Sequence, residues 1–171
     1  MPKGLEIEKK YLIAYPDTEL LREKGAVEKS LEQTYLTAED GVSERVRKSV
    51  KNGVVTYTHT LKKKVSGITR LEDEKEITEE EYKALLLRAD PTCETVRKTR
   101  FVLPGEGVFY EIDVFPFWKD KAFLEVELER EEQSVFLPDL VTVLADVSRD
   151  KNYTNHAIAK QLKTNETFRL R

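Results

Sequence analysis

Ionised residues recur at every second position in several stretches of this chain. The first is Glu6-Ile7-Glu8-Lys9-Lys10 and the last is Glu125-Val126-Glu127-Leu128-Glu129. Between them lie Arg45 with Arg47, Lys62 with Lys64, and Arg70 with Glu72, Glu74 and Glu76. Lys98 with Arg100 and Glu111 with Asp113 follow. A β-strand turns successive side chains to opposite faces, so each set shares one face. Arg and Lys together suit phosphate oxygens, Arg as a bidentate fork and Lys as a point charge. Clustered Glu and Asp with no Cys or His among them suit a hard cation such as Mg²⁺ or Mn²⁺. Both sets side by side describe a site for a divalent metal and a polyphosphate, the metal drawing charge from the phosphate.

These residues need strands to carry them. The pattern predicts strands over Leu5–Ala14, Ser30–Thr37, Val42–Lys51, Val54–Val65, Ile68–Ile77, Glu94–Leu103, Val108–Phe115 and Lys121–Arg130. Asn52-Gly53 is the strongest hairpin signal. A short helix opens at Pro16-Asp17 and stops at Gly25. Thr78 with Glu81 forms a capping box for a second helix that ends at Asp90-Pro91. A third helix is expected from Pro138 through Leu144, and a fourth, capped by Thr154 or Asn155, through Leu162. On one strand, alternating charge usually marks a solvated outer face. Seven such strands together need another way to hide their apolar sides, and four helices are too few to cover a large flat sheet twice. The expected fold is therefore mainly β (α+β): an eight-stranded antiparallel closed barrel with charges inside and helices outside. A charged lumen is costly unless its ions are compensated, so a highly charged guest is expected.

The 171 residues fit one domain, expected over 1–171, and net charge is −3 although 36% of residues are charged. Overall charge gives no reason to expect nucleic acid or an acidic membrane as partner. The single cysteine, Cys93, excludes an intramolecular disulfide and suits a reducing, cytoplasmic location. No apolar run is long enough for a membrane helix, and the opening residues lack the apolar stretch of a secretion signal. Cys93 shows no activating pattern, His59 reads as outer packing, and His156 as surface or packing of the last helix. Tyr35 fits either the lumen or the core.

Nine stretches, in order, resemble one known family. Glu6-Ile7-Glu8-Lys9-Lys10 resembles the ExExK signature of the CYTH domain, the triphosphate tunnel metalloenzymes. Gln33-Thr34-Tyr35-Leu36 is similar to the second-strand motif of its bacterial tripolyphosphatase branch. Arg45-Val46-Arg47, Thr60-Leu61-Lys62, the Glu72/Glu74/Glu76 strand and Lys98-Thr99-Arg100 resemble its middle strands. Glu111-Ile112-Asp113-Val114-Phe115, Glu125-Val126-Glu127-Leu128 and the loop Asp150 to Asn155 resemble its late ones. Pro116-Phe117-Trp118 departs from the glycine usual there, which suggests an altered loop at the tunnel mouth.

The resemblance implies a triphosphate-binding tunnel. By it, Glu6, Glu8, Glu125 and Glu127 are the first-choice ligands for Mg²⁺ or Mn²⁺. Lys10, Arg45, Arg47, Lys62, Lys98 and Arg100 grip the phosphates, Lys151 closes one end, and Tyr35 touches substrate. Lys10, Glu72, Glu74, Glu76 and Asp113 are the catalytic candidates, the acids placing water, holding a second metal or balancing the cations. The leading expectation is a hydrolase of inorganic triphosphate. The alternatives are a nucleoside or thiamine triphosphatase, an adenylate cyclase of the same family, and a polyphosphate-binding module without turnover. A homodimer is compatible with the sequence.

Overall fold

The computed structural model describes residues 4–164. Met1 to Lys3, part of the stretch read for a secretion signal, lie outside the described residues. Eight strands form the barrel: β1 (Leu5–Ala14), β2 (Val27–Tyr35), β3 (Val42–Lys51), β4 (Val54–Ser66), β5 (Thr69–Ile77), β6 (Val96–Pro104), β7 (Phe109–Val114) and β8 (Lys121–Leu128). Their order is β5-β4-β3-β2-β6-β7-β8-β1, all antiparallel. Pairing of β1 with β5 closes the ring, through Leu5↔Leu71, Glu6↔Arg70 and Ile7↔Thr69. Asn52 and Gly53 join β3 to β4 with φ of +50° and +76°. Positive φ at both central residues is what a tight hairpin of this hand requires, and Asn and Gly tolerate it best.

The seam between β1 and β5 is short, and the rest of that β1 edge has another partner. A ninth strand, β9 (Val143–Asp146), pairs with Tyr11, Leu12 and Ile13. Here the sequence reading was wrong, because Pro138 to Leu144 forms no helix. Val141 N–H closes a tight turn onto the Pro138 carbonyl, and the chain then runs as β9. The reason is the open edge: unpaired backbone groups of β1 beyond β5 require hydrogen bonds, and that demand outweighs a weak helical pattern.

Three α-helices remain among the described residues: α1 (Thr18–Glu23), α2 (Glu79–Leu86) and α3 (Asn155–Thr164). The predicted capping box at Thr78 and Glu81 is complete in both directions. Outer faces of β1, β6, β7 and β8 carry Ile13, Phe101, Ile112, Leu124 and Val126, covered by Leu21 of α1 and by Val135, Leu137, Leu140 and Val141. The Tyr110 hydroxyl donates to the Phe136 carbonyl and pins that covering segment. On the other side Tyr82 of α2 packs over Val46 and Ile77. The barrel thus has apolar side chains outside its wall, under helices and loops, and its interior is left for the charged faces. No described helix is long and apolar enough to cross a membrane.

Candidate functional site

The inward faces follow strand alternation, so the charged sets of β1, β3, β4, β5, β6, β7 and β8 converge on one interior. They line a cavity of about 650 Å³, within the range of small-ligand sites. Glu6, Glu8, Lys10, Tyr35, Arg45, Arg47, Lys62, Glu72, Glu74, Arg100, Glu125, Glu127 and Lys151 all border it. Lys151 lies in a short 3₁₀ turn, Lys151–Tyr153, and is exposed. One end of the interior is closed by apolar residues that share the inward faces. Leu12, Tyr35, Val96, Phe115 and Phe123 pack there with Trp118 and with Ile158, Ala159 and Leu162 of α3. Trp118, read from the sequence as part of an altered loop at the tunnel mouth, is 2% exposed and belongs to this plug. Its edge packs against Phe115 and Phe123, so aromatic burial, not substrate access, fixes the turn.

The acidic wall is built by three adjacent strands. Glu8 on β1 lies directly opposite Glu127 on β8, and Glu125 on β8 directly opposite Glu111 on β7. Like charges facing one another across strands are unfavourable unless something offsets them. Oxygens of Glu6, Glu8 and Glu127 lie within 4.8 Å of one another, and so do those of Glu8, Glu111 and Glu125. Burial, with Glu125 and Glu6 close by, pushes the Glu8 carboxyl well above the usual carboxylate range. Burial also raises Glu125, but Lys10 and Arg100 outweigh it and hold that carboxyl well down. Lys10 Nζ is 3.4 Å from Glu125 Oε1. The donor sets are all carboxylate oxygen, which is the chemistry of a hard divalent ion. Glu111 was noticed in the sequence only as part of an acidic strand; register with Glu125 is what brings it into this wall.

Lys62 links the acidic wall to β4. Its Nζ is 2.9 Å from Glu6 and 3.3 Å from Glu72. Burial pushes Glu6 up, but Lys62 and the hydrogen bond with Glu72 together outweigh it and leave the carboxyl below its usual value. Glu72 goes the other way: burial and its hydrogen bond to Glu6 raise it to about 7. Glu74 accepts a 2.8 Å hydrogen bond from the Thr60 hydroxyl. Glu76, predicted among the acidic candidates, is exposed and does not border the cavity. It pairs with Thr58 near the far end of β5, past the stretch where β1 closes the ring, so alternation alone does not bring it in.

The cations divide into two kinds. Lys98 and Arg100 meet Asp113 at 2.7 Å each, and Arg100 also reaches Glu111 at 2.8 Å. Lys98 and Asp113 have no exposed side-chain surface and do not border the cavity. The predicted phosphate-gripping role of Lys98 and the catalytic role of Asp113 thus meet a closed ion network inside the wall. Burial pushes Asp113 up, and Arg100 and Lys98 overcome it, holding the carboxyl at about 2. Burial, with Arg100 nearby, draws Lys98 down to about 7 even though Asp113 opposes this. Arg45 and Arg47, by contrast, form no ion pair among the described residues. The Arg45 Nε is buried with no hydrogen-bond partner there, and the guanidinium meets the Tyr35 hydroxyl. Arg47 donates to the Gln33 side-chain oxygen at 3.3 and 3.1 Å. Burial, Arg45 and Arg100 pull Arg47 down to about 9.

The two histidines separate as well. His59 faces outward and meets Glu44 at 2.7 Å, as a packing role on the outer wall would have it. His156 instead borders the cavity, its ring stacked on Tyr35 with centroids 4.5 Å apart. Lys29 borders the cavity too, and nothing in its sequence setting marks it.

No protein-family model matches the chain, and no curated protein matches it. Solved structures do. The inorganic triphosphatase NE1496 is 29% identical, over 91% of this chain and 94% of that one, with a TM-score of 0.56. The PH1819 protein from Pyrococcus horikoshii OT3 is 26% identical, over 74% and 80%, with a TM-score of 0.57. The Hippeastrum protein HpAC1 is an adenylyl cyclase candidate described as having a dominant triphosphatase activity. It is 17% identical with a TM-score of 0.51, a likeness of fold alone.

Proposed function

We propose, starting from its place among the CYTH or triphosphate tunnel proteins, that this chain is a metal-dependent hydrolase of inorganic triphosphate. The observation that carries this reading is the pair Arg45, buried, and Arg47, half-buried, which line the interior of a closed barrel without a carboxylate ion partner among the described residues. Two enclosed guanidinium groups facing an acidic wall need an anion with several oxygens, and a bare phosphate chain fits. Likeness to NE1496 over nearly the full length supports the same substrate.

Glu6, Glu8, Glu125 and Glu127 would hold Mg²⁺ or Mn²⁺, with Glu111 beside them. Such an ion would supply positive charge to offset the phosphate oxygens and draw charge from the phosphorus. Arg45 and Arg47 donate to the phosphates and keep the chain in line for attack from its end. Lys10, paired with Glu125, and Lys62, paired with Glu6 and Glu72, would match charge as the bridging oxygen leaves. Glu72, raised to about 7, is suited to accept a proton from the attacking water. Most of the acceleration comes from positioning and fixed charge, as in other phosphoryl transfers.

Phosphate release from triphosphate, ATP, thiamine triphosphate and longer polyphosphate, each with Mg²⁺ and Mn²⁺, tests the reading. Inorganic triphosphate should have the highest kcat/KM, yielding phosphate and pyrophosphate. Preference for an organic triphosphate, or cyclic product from ATP, would replace it with an organic-triphosphate enzyme. Glu8→Gln should abolish metal-dependent turnover while the barrel stays folded by circular dichroism. Undiminished turnover in that variant would remove Glu8 from the metal set.

A further inference from the structure

At the apolar end of the tunnel, the turn after α2 meets the first turn of α3. Asp90, Cys93 and His156 come together there, each offering one ligand atom, all within 4.8 Å of one another. The donors are an oxygen, a sulfur and a nitrogen, a set unlike the all-carboxylate wall. The turn is held in place before any ligand arrives. Asp90 N–H donates to the Tyr35 carbonyl at 2.9 Å, and Cys93 N–H to the Asp90 carbonyl at 3.1 Å. Thr92 donates twice to Asp90 Oδ1, from its N–H at 2.8 Å and its hydroxyl at 2.7 Å. The His156 ring is fixed by its stack on Tyr35, with the two planes 3° apart. The second observation is an orphan: His156 Nε2 is buried and has no hydrogen-bond partner among the described residues. A buried polar nitrogen left so is unusual and costly.

We infer that Asp90, Cys93 and His156 form a site for a borderline-soft divalent cation such as Zn²⁺. Three protein donors of this mix match a tetrahedral ion with one further position. The two metal sites would then sort ions by donor chemistry, a hard ion on the carboxylates and a softer one on sulfur and nitrogen. The Cys93 sulfur lies 4.0 Å from the Thr92 hydroxyl. Binding would coordinate Cys93 as the thiolate and release the thiol proton to solvent. The ion ties α3 to the turn at residues 90–93, and so fastens the helix that closes the tunnel end. This inference is independent of the triphosphatase reading.

Co²⁺ titrated into the metal-free full chain is the direct probe. Wild type should develop a thiolate-to-cobalt charge-transfer band that saturates at one ion per chain and is displaced by Zn²⁺. Cys93→Ser and His156→Asn should each lose it, and Glu8→Gln should keep it. No thiolate band in wild type, or an undiminished band in His156→Asn, overturns the site. Should those variants misfold, zinc X-ray absorption on the wild-type chain with one equivalent of Zn²⁺ decides. A sulfur neighbour supports the site, and a shell of nitrogen and oxygen alone overturns it.

Discussion

Arg45-Val46-Arg47 on β3 and Lys98-Thr99-Arg100 on β6 have almost the same sequence form, and the barrel treats them oppositely. Both put two cations on an inward face. Arg100 finds Asp113 directly across on β7, Lys98 reaches the same carboxylate on the diagonal, and Glu111 and Glu125 lie close to Arg100. Arg45 and Arg47 face Thr60 and Thr58 across β4, and Tyr35 and Gln33 across β2. One pair is neutralised by the protein, Lys98 within the wall and Arg100 at the cavity's edge; the other, under the proposed function, leaves its charge to a guest. A cation's neighbours across the sheet, more than the motif it belongs to, decide whether it stabilises the fold or binds substrate.

The comparison breaks most visibly at Asp113. Asp113→Asn leaves two buried cations short of a counter-charge and should cost about 3–5 kcal/mol of stability, read from denaturant midpoints. A loss under about 1 kcal/mol would mean that the network is not what neutralises them. Next in size is Arg45→Ala. It removes a charge-assisted contact of about 1.5–3 kcal/mol, so KM or Kd for triphosphate should rise roughly 10- to 150-fold. Stability should stay level or increase, because a buried cation without an ion partner is removed. An unchanged KM, with stability falling as in Asp113→Asn, would erase the distinction between the two pairs.

The smallest effect is a difference in pH response between two acids. Asp113, held at about 2 against an ordinary 3.8, contributes stability that is present above 3.8 and lost as pH falls through about 2. Glu72, raised to about 7 from 4.5, contributes stability that is present below 4.5 and lost as pH rises through about 7. Glu8 is shifted in the same direction as Glu72. Melting temperature in a chelating buffer should therefore fall between pH 4.5 and about 7, and Glu72→Gln should flatten that fall. An identical slope in the variant would take Glu72 out of the titration.

Much of this was readable from spacing. All eight barrel strands sit within a few residues of their predicted bounds, because alternation over five or more positions is hard to produce any other way. Glu6, Glu8, Arg45, Arg47, Glu125 and Glu127 border the cavity as predicted. The failures share a cause. Pro138 to Leu144 has local helical features, but a strand edge elsewhere claims it. Glu76 has the right alternation and lies beyond the closed part of the barrel. Cys93 and His156 are 63 positions apart with no shared motif, so only the docking of α3 makes them neighbours.

The chain's own order of residues determined which side chains share a face, since a strand's two-residue period is a local property of the backbone. It therefore settled that acids and cations would line a common interior once the strands closed. Which charge meets which was decided by register between strands far apart in sequence. That long-range pairing put Glu8 against Glu127, gave Asp113 to Lys98 and Arg100, and left Arg45 and Arg47 without a carboxylate partner among the described residues.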